Sequence, residues 1–440
     1  MSAHVHDVVG IGIGPFNLGL ACLAEPTGLD AVFLDRADGF RWHHGMMIEG
    51  ATIQVPFLAD LVTMADPTSP FSFVNWLKQT GRLYPFYIRE SFYALRTEYD
   101  AYCRWAASQL RNLHWNREVI AVEHHAGDDT YLVRAMRTDT GEESTLRARH
   151  VVIGVGTQPV VPPALRGLEG PVIHSSDYMD RRDALRATDS ITVVGSGQSA
   201  AEIYRDLLEG AGAGGYRLDW ITRSPRFFPM EYTKLTLEMT SPEYTDHFHA
   251  LPIGIRQHLG REQRSLYKGI SADLIDDIYD TLYRLSADAP VPTTLLTDTE
   301  VTAAEWDGSR YRLKLRHAQL DREHVRESES LVLATGFAAQ TPPFLAPIAD
   351  SLDHDVLGRL AVARDYSVDG GRGRVFVQNG EEHTHGLTAP DLGFGAWRNS
   401  SILSSITGRE VYPVERRIAF QDFGVPGGAR ETVAAVGATR

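Results

Sequence analysis

The sequence predicts an α/β fold with two Rossmann-like dinucleotide-binding domains and a small, mostly helical insertion on the substrate side. Two glycine-rich turns, at residues 10–17 and 195–200, carry this prediction. Each follows a short apolar strand and precedes a helix, the arrangement that places a pyrophosphate at a helix N-terminus. Between residues 227 and 285, a Tyr-rich and acidic stretch with helical character interrupts the alternation of strands and helices.

The bulk composition limits the classes of function. With 440 residues, 43% of them hydrophobic, the chain is long enough for two or three domains with cores of their own. The net charge of −14 argues against nucleic-acid binding and is compatible with a cationic substrate. The N-terminal segment lacks a basic leader, so we expect neither a signal peptide nor a membrane span. Cys22 and Cys103 form no Cys-x-x-Cys pair, which predicts buried thiols, a cytoplasmic location and no dithiol chemistry.

The first glycine-rich turn connects a predicted strand at residues 7–11 to a helix that begins at Pro15. Its glycines allow a tight turn beside a pyrophosphate, and they are Gly10, Gly12 and Gly14. The next predicted strand, at residues 31–34, ends in Asp35, 21 residues after Gly14, where an acidic side chain binds an adenosine ribose. Asn17 occupies the position of the usual third glycine. The turn predicts one dinucleotide site.

The second glycine-rich turn follows a predicted strand at residues 191–194 and predicts a second nucleotide site. The turn and the first helical residues are Gly195, Gly197, Gln198, Ser199 and Ala200. Alanine in the last position allows close packing of helix on strand. The following strand, at residues 218–222, ends in Arg223, which suits a 2′-phosphate better than a free 2′-hydroxyl. This second nucleotide is therefore predicted to be NADP rather than NAD, with Arg226 as a candidate helper.

Two dinucleotide units in one chain imply electron transfer between a flavin and a nicotinamide. Disulfide-type reductases, flavin monooxygenases and electron-transfer reductases share this design, and the missing dithiol disfavours the first class. Between the two turns, Leu168, Gly170, His174 and Tyr178 have the spacing L-x-G-x3-H-x3-Y. This loosely resembles the F-x-G-x3-H-x3-W signature of class B flavin monooxygenases. His174 is equally interpretable as a linker histidine that is hydrogen-bonded for packing.

Six motifs in order resemble the N-hydroxylating monooxygenases of siderophore biosynthesis, the family of lysine, ornithine and diamine N-hydroxylases. The motifs are Gly12-x-Gly14-Pro15-x-Asn17-Leu18, Trp42-His43-x-Gly45-Met46, Gln54 with Phe57-Leu58-x-Asp60-Leu61-Val62, Pro67-Thr68-Ser69-Pro70, Ala334-Thr335-Gly336 and His385-Gly386-Leu387. The resemblance extends from residue 7 to about residue 424. It implies FAD, NADPH and O2, with a C4a-hydroperoxyflavin that oxygenates a primary amine. It also implies a homo-oligomer, and we expect no protein nucleophile and no metal.

The resemblance and the two fingerprints together predict the cofactor-binding residues. Those expected around FAD are Gly12, Gly14, Pro15, Asn17, Asp35, Trp42, His43, Met46, Gln54, Thr335 and Gly336. Those expected around NADPH are Gly195, Gly197, Gln198, Ser199, Ala200, Arg223 and Arg226. The expected domains are 1–165 and 325–425 for FAD, 166–226 and 286–324 for NADPH, 227–285 for the helical segment, and 426–440 for a flexible tail.

One departure from the family pattern bears on the substrate. The amino-acid hydroxylases typically carry a lysine in the third position of Phe-Leu-x-Asp-Leu-Val, where it pairs with the substrate carboxylate; this chain has Ala59. A substrate carboxylate that lacks this charged partner forgoes about 1.5–3 kcal/mol of binding free energy. A decarboxylated diamine has no carboxylate and does not incur this loss. The other candidate substrate residues are Glu238, Lys268, Glu381, Glu382, Asp391 and Gly393. Lys268 could replace the missing lysine, which keeps L-lysine and L-ornithine as alternatives.

The sequence therefore predicts a diamine N-hydroxylase of hydroxamate siderophore biosynthesis, with cadaverine slightly ahead of putrescine. L-lysine N6-hydroxylation and L-ornithine N5-hydroxylation are the nearest alternatives. A Baeyer–Villiger or sulfur-oxidising flavin monooxygenase is a more distant one, permitted by the spacing around His174. A nucleotide-binding redox sensor without substrate turnover is the non-enzymatic alternative.

Overall fold

The computed structural model describes residues 4–212 and 215–425, so the tail predicted at 426–440 lies outside the described residues. The strands are β1 (Val5–Ile11), β2 (Ala31–Leu34), β3 (Leu113–His114), β4 (Arg117–His125), β5 (Thr130–Arg137), β6 (Glu143–Ile153), β7 (Gln158–Pro159), β8 (Val172–His174), β9 (Ser190–Val194), β10 (Arg217–Ile221), β11 (Thr293–Leu296), β12 (Thr299–Trp306), β13 (Tyr311–His317), β14 (Arg322–Ser328), β15 (Ser330–Leu333), β16 (Phe337–Ala338) and β17 (Val375–Val377).

The α-helices of the described residues lie between and around these strands. They are α1 (Pro15–Ala24), α2 (Phe73–Gln79), α3 (Leu83–Ile88), α4 (Arg96–Gln109), α5 (Tyr178–Arg186), α6 (Gln198–Gly212), α7 (Lys234–Leu237), α8 (Pro242–Ala250), α9 (Ile253–Glu262), α10 (Arg264–Lys268), α11 (Ala272–Leu285), α12 (Glu382–His385) and α13 (Gly395–Thr407). Within the two described ranges, no helix has both the length and the apolar character that crossing a bilayer requires.

The first sheet has a parallel core in the order β3-β2-β1-β6-β17. Strand β6 is long enough to serve two purposes. Its first half pairs antiparallel with β5, which pairs with β4, and its last three residues pair in parallel with β17. The antiparallel strands β4 and β5 are thus an extension of the same sheet. Because β1 and β2 are central, their carboxyl ends meet at the first glycine-rich turn.

The second sheet is parallel throughout, with the order β11-β10-β9-β15-β8. Both sheets follow the predicted Rossmann-like pattern. Strand β2 of the first sheet and β15 of the second are fully buried apolar runs, as expected for parallel strands covered on both faces. An antiparallel arm of β12, β13 and β14 follows β11.

One predicted domain boundary needs correction. Strand β15 lies in the range 325–425 assigned to the FAD domain, yet it pairs with β8 and β9 of the second sheet. The physical reason is the antiparallel arm, which carries the chain out and returns it to the same sheet before it leaves. The chain crosses back only after Leu333, where β16 pairs with β7.

The apolar cores explain why these elements assemble. Helix α1 is buried from Asn17 to Ala24 beneath the first sheet, and α6 is buried in the second core. Cys22 and Cys103 lie in the first core, as predicted, and burial raises the pKa of both thiols. The helical segment contacts both units, because α11 packs Ile278 into the second core while α8 packs Phe248 against Leu387 of the first unit.

The turn at residues 43–46 of the first unit lies directly against the second unit. Gly45 is buried there, and a Cβ atom at this position would lie only 1.6 Å from the carbonyl oxygen of Ser176. Only glycine permits this approach of two backbones. The turn thus fixes where the first unit meets the segment that precedes α5.

Candidate active site

The first glycine-rich turn forms an open cradle at the N-terminus of α1. Gly12 has φ +86°, and a Cβ there would come within 2.5 Å of the Gly154 carbonyl oxygen. Gly14 differs, because a Cβ would meet no atom within 4 Å. Pro15 begins the helix, so the unpaired N–H groups of its first turn face the open side of Gly14. The geometry fits a pyrophosphate at the predicted FAD site.

Asn17 is fully buried and holds this turn together from behind. Its amide donates to the carbonyl oxygens of Ile11 and Gly12, at 3.2 and 2.8 Å, and its side-chain oxygen accepts from Gln378 at 2.8 Å. A Cβ at Gly154 would clash with the same amide group. The side chain predicted to lie around FAD therefore shapes the cradle and does not face its open side.

Asp35 lies at the end of β2, as predicted, and bonds to the turn itself. Its carboxylate accepts the N–H of Ile13 at 2.6 Å and the N–H of Ala37 at 2.8 Å. A carboxylate has about four acceptor positions, so the remaining lone pairs are able to accept ribose hydroxyls.

The segment from Trp42 to Met46 extends from the cradle to the second unit. The ring of Trp42 packs against that of Tyr99, with centroids 4.8 Å apart, and the backbone N–H of Trp42 donates to the Asp100 carboxylate. His43 has φ +47°, and the residue is exposed to solvent although many protein atoms surround its ring. Crowding by protein and the charge of Arg96 lower the pKa of His43 to about 4, so the ring is neutral at pH 7. Met46 directs its side chain into the second core, where it is 5% exposed, rather than toward the cradle.

Gln54 contains the clearest unfilled polar position in this region. Its side-chain nitrogen Nε2 is buried and has no hydrogen-bond partner among the described residues. Its backbone carbonyl accepts the hydroxyl of Tyr232, which comes from the helical segment. A buried unpaired amide is costly unless a ligand satisfies it, which fits the predicted position beside FAD.

Thr335 and Gly336 lie where the chain crosses from the second sheet to the first. The Thr335 hydroxyl donates to the carbonyl of Val160, and Gly336 has φ +89°. His174 packs edge-on against Phe337, with ring centroids 4.9 Å apart, and accepts the N–H of Ser176. These contacts favour the packing interpretation of His174 over a role at the reacting centre.

The second glycine-rich turn is closed tightly by its neighbours. A Cβ at Gly195 would lie 2.2 Å from the carbonyl oxygen of Ala334, and one at Gly197 would lie 3.2 Å from that of Lys268. Ala200 is fully buried against the second sheet, as its predicted packing role requires, and Ser199 is half-buried beside it.

The polar side chains near this turn have different surroundings. Gln198 donates to Glu202 at 2.9 Å and accepts the N–H of Ser271 at 2.9 Å, so its amide is held by protein groups. Arg223 is exposed at the end of β10, and Arg226 is exposed with its guanidinium 4.5 Å from the ring centroid of Phe228. Neither arginine forms an ion pair within the described ranges. Both remain available for the 2′-phosphate predicted from the sequence.

Three of the predicted substrate residues converge on one place. A Cβ at Gly393 would lie 3.4 Å from Asp391 Oδ1 and 3.7 Å from the Cβ of Ala59. Asp391 Oδ1 accepts the Gly393 N–H at 2.9 Å. Burial raises the pKa of Asp391, although the Gly393 hydrogen bond and the charge of Arg398 act in the opposite direction. Burial and the Asp391 charge also raise the pKa of Tyr232, a residue that the sequence analysis did not select.

The local fold fixes Ala59 beside this carboxylate. Asp60, the next residue, accepts the N–H groups of Val62 and Thr63 with one oxygen and that of Phe73 with the other. These bonds tie the turn that carries Ala59 to the start of α2. Ala59 is itself buried, so its methyl group contributes no charge beside the Asp391 carboxylate.

The remaining predicted substrate residues form other contacts. Glu238 accepts the backbone N–H groups of Phe420 and Gln421, so its carboxylate is occupied by the C-terminal segment. Lys268 pairs with Glu382 at 2.9 Å. Burial raises the pKa of Glu382, but Lys268 and the hydroxyl of Tyr267 outweigh it and lower the pKa below its ordinary value. Lys268 therefore does not supply a free positive charge in place of the missing lysine.

A buried ion pair supports the loop that carries Asp391. Arg398 and Glu381 are both fully buried and lie 2.9 Å apart. Arg398 also donates to the carbonyl oxygens of Thr388 and Ala389, and its guanidinium lies 4.5 Å from the ring centroid of Phe16 in α1. The loop before Asp391 is thus fastened to the helix that begins at the first cradle. Glu381 is committed to this pair, which leaves Asp391 as the candidate carboxylate for a ligand.

Comparison with known proteins agrees with these features. Residues 4–339 match the family model described as L-lysine 6-monooxygenase/L-ornithine 5-monooxygenase. The chain is 48% identical over 420 residues to a putrescine N-hydroxylase of Shewanella oneidensis, covering 95% of this chain and 84% of the relative.

Solved structures extend the comparison to the whole architecture. The cadaverine monooxygenase DfoA of Erwinia amylovora, solved with FAD, is 50% identical, with a TM-score of 0.94 over 97% of this chain and 100% of DfoA. The ornithine N-hydroxylase KtzI of Kutzneria sp. 744, solved with reduced FAD, NADP+ and L-ornithine, is 31% identical, with a TM-score of 0.86 over 92% of this chain and 99% of KtzI. The family predicted from the six motifs is confirmed: the chain belongs to the L-lysine 6-monooxygenase/L-ornithine 5-monooxygenase family.

Proposed function

We propose that the protein N-hydroxylates one primary amine of an aliphatic diamine, cadaverine ahead of putrescine, with FAD, NADPH and O2, for hydroxamate siderophore biosynthesis. The observation that carries the substrate proposal is the position of Asp391 beside Ala59. A crowded carboxylate without an ion-pair partner in the described part of the chain suits the ammonium at the far end of a diamine. The diamine relatives at 48% and 50% identity support the same substrate class.

The charges near Ala59 argue against an amino acid as the preferred substrate. L-Lysine or L-ornithine would bring a carboxylate toward Asp391, with the like-charge repulsion that this implies. Lys268 is held by Glu382 and Arg398 by Glu381. Neither of these basic side chains is free to compensate such a carboxylate.

The two glycine-rich turns divide the cofactors between them. We assign FAD to the first, with Gly12, Gly14 and Asp35 around its adenosine diphosphate and Gln54 Nε2 toward its ring system. We assign NADPH to the second, with Arg223 and Arg226 toward the 2′-phosphate. Asn17, Met46 and Gln198 act by shaping these sites through protein contacts.

The flavin supplies the activated oxygen, so the protein contributes binding, orientation and control of the amine proton. A free alkylamine has a pKa of roughly 10.4 and is mostly an ammonium at pH 7, whereas only the neutral amine has a lone pair. Asp391 stabilises the positive charge at the far end, and that end keeps its proton. His43 is neutral at pH 7, so it adds no positive charge beside the first cradle.

The deciding experiment measures substrate-dependent NADPH oxidation together with hydroxylamine formation. Cadaverine, putrescine, L-lysine and L-ornithine are compared at equal concentration, with a thioether and a ketone as tests of the more distant monooxygenase alternative. We expect product mainly from the diamines. Product mainly from L-lysine or L-ornithine would overturn the diamine proposal, and NADPH oxidation without any amine product would overturn N-hydroxylation.

We also infer a homo-oligomer in the cytoplasm. Helix α3 exposes Tyr84, Tyr87 and Ile88, and the exposed Phe92 follows the helix. Large apolar side chains that are grouped at a surface usually mark an interface. The family resemblance favours a second copy of the chain as the partner. Light scattering after size-exclusion chromatography should give a molecular mass that is a multiple of 48.8 kDa for the wild type. The variant Tyr87→Lys should give a lower mass, and a monomeric wild type would contradict the inference.

The two buried thiols agree with a reducing compartment, which supports the cytoplasmic location.

A further inference from the structure

A buried ion pair joins the two nucleotide-binding units at their point of contact. Arg96, the first residue of α4, donates to Glu202 of α6 through two nearly parallel hydrogen bonds of 2.9 and 2.8 Å. The two side chains are only 11% and 7% exposed. Bidentate pairing of this kind fixes geometry as well as charge, and a buried pair tolerates the loss of one partner poorly.

The same carboxylate organises the surrounding elements. Glu202 Oε1 also accepts the side-chain amide of Gln198, the first residue of α6 after the second glycine-rich turn. Gln198 in turn accepts the N–H of Ser271, which precedes α11 of the helical segment. On the other side, Arg96 donates to the carbonyl oxygen of Met46 at 2.8 Å. One carboxylate thus connects the first unit, the second turn and the helical segment.

We propose that Glu202 is a positioning residue that holds the NADPH-binding turn in register with the flavin-binding unit. The proposal rests on the proposed function, in which a hydride leaves NADPH, giving NADP+, and reduces the flavin by two electrons. Glu202 lies behind the turn and acts through Arg96 and Gln198. Because hydride transfer depends steeply on the placement of donor and acceptor, a small shift between the units should slow it.

The central variant is Glu202→Gln, which keeps the side-chain shape and removes the charge that binds Arg96. Asp277→Asn is the matched control, because Asp277 also pairs with an arginine of α6, Arg205 at 2.7 Å, and also joins α6 to α11. That second pair lies at the surface and does not reach the first unit. Gln198→Ala removes the link to Ser271 without leaving a buried charge unpaired, so the proposal stays testable if Glu202→Gln folds poorly.

Two measurements test the proposal. In the cofactor-free protein, hydrogen exchange at residues 198–205 and 271–275 should rise in Glu202→Gln and Gln198→Ala and stay unchanged in Asp277→Asn. In the FAD-loaded protein without amine, anaerobic flavin reduction by NADPH should slow by about tenfold to a hundredfold in Glu202→Gln and Gln198→Ala. Their FAD content, and the reaction with O2 after chemical reduction by dithionite, should match the wild type.

The outcomes separate positioning from a general structural role. Unchanged exchange and unchanged flavin reduction in Glu202→Gln would overturn the proposal. A parallel loss of FAD content, O2 reaction and NADPH reduction would also overturn it, because it would indicate simple destabilisation. If NADPH does not reduce the wild-type flavin, the proposed function itself fails, and this outcome is distinct from either of the others.

Discussion

At the scale of single residues, Ala59 and Asp391 define the electrostatics of the proposed substrate pocket. Asp391 is crowded by protein, and its contacts include the N–H of Gly393, which itself lies close to Ala59. Because residue 59 is an alanine, it supplies no cation to this carboxylate. Ala59 and Asp391 are compatible with the same kind of substrate, one that brings its own positive charge to the carboxylate.

Ala59→Lys tests this electrostatic relationship. The new ammonium should pair with Asp391 and compete with the far ammonium of cadaverine, raising KM about tenfold or more, since a charged hydrogen bond contributes about 1.5–3 kcal/mol. Ala59→Met is the control, because methionine has similar length without charge. Steady-state kinetics that show equal effects from both variants would indicate crowding and would contradict the charge argument.

Gly14→Ala tests the first cradle. Its Cβ would meet no protein atom within 4 Å, so the variant should fold normally but project a methyl group into the space assigned to the FAD pyrophosphate. We expect FAD content after purification to fall severalfold while the unfolding midpoint of the cofactor-free protein stays the same. Gly39→Ala, which also meets no atom within 4 Å but lies on the loop after β2, is the control. Full FAD content in Gly14→Ala would contradict the assignment.

Residue types and spacing predicted the two glycine-rich turns, but not every side-chain role within them. Gly12, Gly14 and Asp35 could be predicted because their positions follow from a strand, a turn and a helix in succession. Asn17 and Met46 could be selected but not oriented. Gln378, which donates to the side-chain oxygen of Asn17, and the second core, which contains Met46, are both far away in sequence. Tyr232 gave no local signal at all, because its significance comes from contact with Gln54.

At the scale of elements, the contact between the 43–46 turn and the second unit is the most constrained junction. Gly45→Ala would place a Cβ 1.6 Å from the Ser176 carbonyl, so one backbone must move. Forced overpacking costs about 1–3 kcal/mol, and we expect a lower unfolding midpoint and slower flavin reduction by NADPH. Gly39→Ala again controls for the loss of a glycine in the same loop. An unchanged midpoint in urea titration would show that the junction is looser than the structure indicates.

Element order was predicted well where strands and helices alternate and poorly where the chain leaves and returns. Strand β15 falls in the range 325–425 that was assigned to the first domain. Its true partners, β8 and β9, are decided by sheet pairing across the antiparallel arm. The candidate carboxylates Glu238, Glu382 and Asp391 could not be distinguished from the sequence either. In the structure, Glu238 accepts the N–H groups of Phe420 and Gln421. Glu382 pairs with Lys268, which leaves Asp391 as the candidate.

At the scale of the whole molecule, buried neutral histidines predict how stability depends on pH. Burial and the charge of Arg364 lower the pKa of His385 well below its ordinary value of 6.5, so the folded protein leaves this ring neutral. The unfolded chain binds a proton as the pH falls through about 6.5, and stability then decreases by up to roughly 1.4 kcal/mol per pH unit for each such histidine.

The prediction is an unfolding midpoint in urea that falls between pH 7.5 and pH 5.5 for the cofactor-free wild type. His385→Gln should be less stable at pH 7.5 but show a shallower dependence on pH over the same interval. His258→Gln, at an exposed position, provides the comparison for adding a glutamine. An equal slope in His385→Gln and the wild type would remove His385 as a source of the pH dependence.

The proposed binding of the far ammonium of a diamine by Asp391 is tested most directly by one thermodynamic cycle. The ratio of kcat/KM for cadaverine to that for pentylamine, which lacks the second amine, is measured in the wild type and in Asp391→Asn. The wild-type ratio should be about 10 to 150, the equivalent of one charged hydrogen bond, and it should fall close to one in Asp391→Asn. An unchanged ratio in the variant would contradict the assignment.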